Sequence, residues 1–178
     1  MRKIILNLAM SLDGYICDED GGFDWIKGDG NKSNDTKTQF NYQKFLESID
    51  TIVMGKKAYL DCGIENFESK KVYVATSKKN DSKCESVKII NGDISKQIVS
   101  LKEKAEGKNI WLFGGAGLTD SFIKNNIIDE YIIGIIPTIL GKGRKLFLEN
   151  NPEIKLQLEE STTQEGIVIL KYSIRGES

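Results

Sequence analysis

The chain has 178 residues, of which 39% are hydrophobic and 29% charged, and its formal net charge is −1. This length allows one domain with a sizeable core, and the near-zero charge gives no general electrostatic reason to bind nucleic acid or an anionic membrane. The chain contains no histidine, which excludes Ser-His-Asp and Cys-His catalysis and histidine-ligated metals. Any proton transfer must therefore use Asp, Glu, Tyr, Lys, Cys or bound water.

The cysteines and the first residues indicate the compartment. Cys17, Cys62 and Cys84 are widely spaced and include no C-x-x-C pair, a poor pattern for a disulfide framework or a zinc site. The apolar start is interrupted by Asn7 and ended by Asp13, which is not typical of a signal peptide or a membrane span. We therefore expect a cytoplasmic protein with no bound metal and no membrane partner.

Hydrophobic periodicity predicts strands that alternate with helices. In chain order we expect a strand over residues 2–10, a polar loop over 18–37, a helix over 38–48, and a strand over 51–54 followed by a short helix. Next come strands over 71–76 and 86–90, a helix over 94–106 and a strand over 109–113. The chain closes with a helix to about residue 126, a strand over 129–140 and an antiparallel pair near 155–161 and 166–174. This order favours a mainly parallel sheet flanked by helices.

A glycine turn follows the strand over 109–113. Gly114, Gly115 and Gly117 remove side chains where the next helix begins. Bare N–H groups and the positive end of the helix dipole suit a nucleotide phosphate at such a turn. The alternative is a turn that needs glycine only for unusual φ and ψ angles, and short glycine motifs alone do not separate the two.

Two other strand ends carry residues suited to phosphate. The strand over 51–54 is followed by Gly55, Lys56 and Lys57, and the strand over 71–76 ends at Thr76 and Ser77, with Lys78 after them. Helix N–H groups, hydroxyls and ammonium charges at the carboxyl ends of parallel strands can hold a phosphate. The alternative is that the lysines form a solvated face.

The loop over 18–37 is long for a compact domain, and such loops are usually functional or mobile. It contains Phe23 and Trp25. These aromatic side chains either cover a ligand pocket or anchor the loop to the core, and the sequence leaves both interpretations open.

In this order, these motifs resemble the dihydrofolate reductase-like fold. More closely, the chain resembles the C-terminal reductase domain of the bifunctional riboflavin-biosynthesis deaminase/reductase and the stand-alone bacterial proteins similar to it. The resemblance spans nearly all of the chain, as one domain over 1–178, and is carried by five segments: AMSLDGYI (9–16), MGKKAY (54–59), ATSK (75–78), FGGAGL (113–118) and PTILGKG (137–143) with Leu146 and Phe147.

The resemblance implies NADPH bound across the carboxyl edge of the sheet. Family members bind phosphates at the segment matched by Gly55, Lys56 and Lys57, where Lys56 replaces the usual arginine, and the adenosine 2′-phosphate near Thr76, Ser77 and Lys78. The pyrophosphate turn is matched by Gly114, Gly115, Ala116, Gly117, Leu118 and Thr119. In dihydrofolate reductases the paired glycines are joined by a cis peptide, so we predict a cis bond between Gly114 and Gly115.

On the substrate side, we expect Asn7 and Ala9 of the first strand to face the pocket floor and Trp25 of the long loop to contact the substrate. Asp13 is our candidate for a catalytic substrate contact or proton relay, and its alternative is an Asp-Gly turn residue. The acidic residue that binds the pterin in dihydrofolate reductase has no convincing match near Asp35, and Ile133 replaces a supporting threonine. These departures argue against folate reduction and favour the riboflavin-type branch.

The leading hypothesis is therefore an NADPH-dependent reductase of a small, pyrimidine- or pterin-like substrate, similar to 5-amino-6-(5-phosphoribosylamino)uracil reductase. One alternative is a nucleotide-binding protein without turnover that has a regulatory role, and another is an interaction domain without a ligand. We expect no nucleic acid partner. At a sheet edge, the apolar strand from Tyr131 to Leu140 would tend to pair with a strand of another chain. We therefore also expect a homodimer through this region.

Overall fold

The computed structural model describes residues 1–65, 67, 69–77, 87–104 and 106–176. Its strands are β1 (Ile4–Ser11), β2 (Tyr15–Cys17), β3 (Ile49–Gly55), β4 (Lys71–Ala75), β5 (Val87–Ile90), β6 (Asn109–Gly114), β7 (Glu130–Ile136), β8 (Arg144–Lys145), β9 (Leu156–Gln164) and β10 (Ile167–Ile174). Its helices are α1 (Tyr42–Glu47), α2 (Lys56–Cys62), α3 (Ile94–Lys102) and α4 (Ala116–Lys124). The alternation of strands and helices follows the order expected from the sequence.

Eight strands form one sheet in the order β5-β4-β3-β6-β1-β7-β10-β9. The first six are parallel, while β10 runs antiparallel to β7 and to β9. Parallel strands need crossover connections, and helices in those connections cover the faces of the sheet. The expected mainly parallel sheet with antiparallel C-terminal strands is confirmed, and all six parallel carboxyl ends meet at one edge.

The two faces of the sheet have separate cores. Neighbouring residues on β1 point to opposite faces, since Ile4 packs in one apolar cluster with Phe122 of α4, and Ile5 packs in the other with Phe45 of α1 and Trp111 of β6. This alternation follows from the two-residue period of a strand. A strand that is buried on both sides reads as a continuous apolar run, which is why the sequence predicts it well.

A second, two-stranded sheet pairs β2 with β8. Its register places Cys17 opposite Arg144 and Tyr15 opposite Lys145. The pairing brings the basic, glycine-rich segment GKGRKLF (141–147) back to the carboxyl end of β1. The sequence indicates this segment and an extended stretch at Tyr15–Cys17, but not that the two pair.

Two helices are shorter than the sequence predicts, because polar caps begin them and the chain turns at their ends. The helix expected over 38–48 begins at Tyr42, where the side chain of Asn41 accepts a hydrogen bond from the Lys44 backbone N–H at 2.8 Å. The helix expected over 94–106 ends at Lys102, and Asp93 caps its start. Within the described ranges, no helix is long and apolar enough to cross a membrane.

Strand β7 is not an edge strand. It pairs with β1 on one side and with β10 on the other, and it ends at Ile136 before Pro137. The premise that this strand lies at a sheet edge is therefore wrong, and the homodimer expected through this region stays a prediction. Its apolar side chains are buried because two neighbouring strands and both cores cover them.

Candidate functional site

The candidate site lies where β3 and β6 end side by side. Met54 of β3 pairs with Gly114 of β6, and each strand leads directly into a helix. Gly114 has φ 135° and Gly115 has φ 101°, a backbone conformation that favours glycine. The described chain contains no cis peptide bond, so the predicted cis link between these two glycines is wrong. Their two positive φ angles reverse the chain direction while the peptide stays trans.

The two glycine junctions approach each other at backbone distance. A Cβ on Gly115 would lie 3.5 Å from both the Cα and the N of Gly55, and a Cβ on Gly55 would lie 3.8 Å from the carbonyl oxygen of Gly114. Both distances are ordinary van der Waals contacts, so the starts of α2 and α4 lie next to each other whether or not these residues are glycine. A turn that needs glycine only for its φ and ψ angles explains Gly115, but it does not explain why both junctions line one cavity.

Both helices begin without a side-chain cap. Neither Gly55 nor Gly115, the residues that precede α2 and α4, makes a side-chain hydrogen bond to the first turn. The first N–H groups of a helix have no acceptor within the helix and carry the positive end of its dipole. The first turns of α2 and α4 both line one cavity.

A cavity of about 740 Å³ opens at these two helix starts, a size typical of small-molecule sites. The turn from Gly114 to Leu118 lines one part of it, together with Lys56 and Lys57 of α2 and Arg144 of β8. Asp61 of α2 also lines it, and one of its carboxylate oxygens lies 3.9 Å from an Arg144 guanidinium nitrogen. The cationic side chains of Lys57 and Arg144 make this part of the cavity suited to an anionic group.

Aromatic side chains line the rest of the cavity. They are Phe23, Tyr42, Phe67, Trp111 and Phe113. The rings of Phe67 and Trp111 meet edge to face at 5.4 Å, and those of Trp111 and Phe113 lie 5.0 Å apart. Such packed rings form a rigid apolar wall.

The floor of the cavity is β1. Asn7, Leu8 and Ala9 line it, and the backbone carbonyl oxygen of Asn7 accepts a hydrogen bond from the indole N–H of Trp111 at 2.9 Å. This bond fixes the indole against β1. The cavity thus joins a cationic, donor-rich part with an apolar, aromatic part.

Most of the predicted site residues come together here. Those that line the cavity are Asn7, Ala9, Gly55, Lys56, Lys57, Gly114, Gly115, Ala116, Gly117 and Leu118. Thr76 and Ser77 follow β4 at the same sheet edge but outside the lining. Lys78 lies outside the described residues. The predicted contact with a 2′-phosphate therefore stays a prediction.

Asp13 connects two loops through hydrogen bonds. Its carboxylate accepts hydrogen bonds from the hydroxyl of Ser11 at 2.6 Å and from the backbone N–H groups of Leu140 and Gly141 at 3.1 and 2.7 Å. The bond from Ser11, followed by those from the two N–H groups, lowers its pKa although desolvation opposes this. Asp13 is not among the cavity-lining residues, so the geometry favours the turn alternative over the catalytic one.

Trp25 and Thr119 also lie outside the lining. The indole N–H of Trp25 donates to the carbonyl oxygen of Gly22 at 3.3 Å within its own loop. The loop instead reaches the cavity with Phe23 and Ile26. Thr119 is fully buried, and its backbone N–H closes the first turn of α4 on Gly115 at 2.9 Å.

Sequence reasoning missed Tyr42, Asp61 and Arg144. Arg144 stands in the basic, glycine-rich segment that the sequence singles out, but only the pairing of β2 with β8 brings it to the cavity. Tyr42 is the first residue of α1, and burial raises the pKa of its phenol. Burial also raises the pKa of the Cys62 thiol at the end of α2, helped by the charge of Asp61.

The strand order, the antiparallel C-terminal strands and the cavity at the parallel carboxyl ends define an α/β protein of the dihydrofolate reductase-like fold. A dihydrofolate reductase from Enterococcus faecalis, solved with NADP(H) and RAB-propyl, shares this fold at 14% identity and a TM-score of 0.66, over 98% of this chain and 97% of that one. A putative riboflavin biosynthesis protein from Shewanella sp. PV-4 is more similar, with 24% identity and a TM-score of 0.81 over 99% and 100% of the two chains.

The chain belongs to the family of the RibD C-terminal domain, whose model matches residues 2–170. Two proteins of Bacillus subtilis (strain 168), the uncharacterized YwjB and YyaP, are 35% and 33% identical to it over 98% of this chain, and the matches cover 98% and 96% of their own lengths. This family is reductase-like, which supports an oxidoreductase function in the broad sense. The resemblance expected from the sequence is confirmed.

Proposed function

We propose that the protein is an NADPH-dependent reductase of a small heterocyclic substrate of pyrimidine or pterin type. One observation carries the proposal: two adjacent helix starts without side-chain caps line, with cationic side chains, one part of a cavity that also has an aromatic wall. A dinucleotide combines a charged pyrophosphate with flat rings, and the two parts of the cavity match these two chemistries.

The phosphates would lie at the glycine junctions. Gly55 and Gly115 line the cavity without a side chain, and the N–H groups that begin α4 would donate to pyrophosphate oxygens. Lys57 is exposed on the first turn of α2 and would add an ammonium charge. The donor set therefore fits the cofactor.

The aromatic part would hold the reacting rings. When bound, NADPH supplies the hydride, and the protein aligns donor and acceptor and excludes water. Trp111 and Phe113 provide a rigid wall for a flat ring, while the amide of Asn7 on the floor offers both a donor and an acceptor. The substrate class is supported by the name of a Thermotoga maritima protein of this fold, a deaminase and 5-amino-6-(5-phosphoribosylamino)uracil reductase, which is 16% identical with a TM-score of 0.71 over 98% of this chain and 57% of that one.

The test has a binding arm and a turnover arm. NADPH and NADH are titrated while the melting temperature is followed, because a ligand that binds only the folded state raises it with concentration. NADPH oxidation is then measured with 5-amino-6-(5-phosphoribosylamino)uracil, dihydropterins and simple carbonyl compounds. We expect NADPH binding and oxidation with a pyrimidine or pterin. Binding without oxidation of any compound would support a nucleotide-binding protein without turnover, and no melting shift with either nucleotide would contradict both functions.

A further inference from the structure

Tyr42 carries the one hydroxyl group among the described residues that line the cavity. The side chain is 48% exposed, and its phenol oxygen makes no hydrogen bond to another described residue. The hydroxyl is therefore available to a molecule in the cavity. No other feature of the site uses it.

The ring of Tyr42 is held in place from two sides. It meets the Trp111 indole edge to face at 6.2 Å and stacks on Phe45 at 6.2 Å. The Asn41 cap fixes the backbone of the same turn of α1. Because Trp111 is itself bonded to β1 through Asn7, the phenol has a defined position relative to the cavity floor.

The other polar and titratable groups of the cavity are less well suited by position or chemistry to give a proton to the substrate. Asp61 carries its carboxylate beside the guanidinium of Arg144, and Lys56 and Lys57 stand at the helix start where the phosphates would lie. The amide of Asn7 can donate a hydrogen bond but does not release a proton at ordinary pH. Cys62 is at the far end of α2 from the glycine junction.

We propose that Tyr42 is the catalytic proton donor of the reduction. This role rests on the proposed function. As a hydride forms a new C–H bond at the carbon of a C=N or C=O group, the phenolic O–H bond breaks. Its proton then forms an N–H or O–H bond at the heteroatom. NADPH is oxidised by two electrons, the substrate is reduced by two, and the phenolate recovers its proton from water.

The phenol carries the proton that this role requires. Burial against the aromatic wall raises the pKa of Tyr42 above its usual value near 10, so the group stays protonated through the neutral range. General acid catalysis by a positioned side chain typically contributes 10²- to 10⁴-fold in rate. Its loss is therefore measurable.

The test compares Tyr42→Phe with Tyr59→Phe, which removes the hydroxyl of a partly buried tyrosine on α2 outside the cavity lining. Both variants are assayed with the compound that the wild-type protein reduces fastest. For Tyr42→Phe we expect kcat to fall by about 10²-fold or more, with KM, NADPH affinity and melting temperature nearly unchanged and an altered solvent deuterium isotope effect. For Tyr59→Phe we expect wild-type kcat.

The outcomes separate this role from the function on which it rests. A wild-type kcat in Tyr42→Phe, or a raised KM with unchanged kcat, would overturn the proton-donor role while the reductase function stands. NADPH binding by Tyr42→Phe confirms that the variant is folded. If the wild-type protein oxidises NADPH with none of the compounds, the reductase function fails and the role of Tyr42 fails with it.

Discussion

Gly115 and Gly55 lie at the starts of different helices, yet a Cβ on Gly115 would come within 3.5 Å of the Gly55 backbone. The contact holds the first turns of α2 and α4 together at the carboxyl ends of β3 and β6. It makes one site from two junctions that are about 60 residues apart in sequence. The phosphate site that we propose lies at this contact.

A methyl group at Gly115 should therefore damage both stability and binding. Its φ of 101° is outside the range that L-residues adopt readily, and such strain costs about 1–3 kcal/mol. We expect Gly115→Ala to lower the melting temperature by about 2–4 °C for each kcal/mol and to weaken NADPH binding. Gly117→Ala is the stability control, because a Cβ there meets no atom within 4 Å. Equal melting temperatures for the two variants would contradict the strain argument.

Removing the charge of Lys57 should weaken NADPH binding in a salt-dependent way. An exposed ion pair contributes about 0.2–1 kcal/mol, so Lys57→Gln should raise the dissociation constant of NADPH by up to about fivefold. The difference should shrink at high ionic strength because salt screens exposed charges. Lys96→Gln on α3, whose side chain is 87% exposed, is the matched control and should bind as the wild type does. An effect of the same size in both variants would point to net charge alone.

Replacing Asp13 should destabilise the fold more than it impairs NADPH binding. The carboxylate joins the turn after β1 to the backbone of Leu140 and Gly141, and an amide cannot accept all the bonds it makes. We expect Asp13→Asn to melt at a lower temperature and to keep its affinity for NADPH and its turnover. A normal melting temperature with abolished turnover would restore the catalytic interpretation.

The charge of Asp50 should make the stability of the fold depend on pH in the acid range. Burial opposes its charged form, but the hydroxyl of Thr51, the Lys108 N–H and the Arg2 charge outweigh this and lower its pKa. A lowered pKa stabilises the fold above the unfolded value of about 3.9 and stops doing so as pH falls through the folded value.

The measurement is the melting temperature of Asp50→Asn and wild type from neutral pH to strong acid. The difference between the two melting temperatures should be largest at neutral pH and should disappear below about pH 4. Asp24→Asn, at an exposed carboxylate of the long loop, should follow the wild type throughout. A difference independent of pH would show that Asp50 acts through its shape and not its charge.

The sequence predicts the parallel half of the fold well because the signals there are local. Buried strands read as apolar runs, and the glycines after β3 and β6 mark where each chain segment turns into a helix. The donors near Gly55 and Gly114 could be assigned to one edge because parallel carboxyl ends share an edge. These residues do line one cavity.

The errors arise where pairing is long-range. An apolar run does not reveal whether a strand is central or at an edge of a sheet. The sequence therefore predicts β7 at an edge, although β10, near the C-terminus, pairs with it. Arg144 reaches the cavity through its pairing with Cys17, and no local signal predicts this. The choice between Phe23 and Trp25 depends on side-chain direction within an irregular loop, which periodicity does not encode.

The most direct test of the central claim uses the tryptophans. The chain has two, and only Trp111 lines the cavity, so in Trp25→Phe all tryptophan fluorescence reports on the site. Titration with NADPH should quench the Trp111 emission and sensitise emission from the reduced nicotinamide, with saturation that NADP⁺ reverses by competition. Unchanged Trp111 emission in NADPH concentrations up to the millimolar range would contradict the claim that this cavity is the cofactor site.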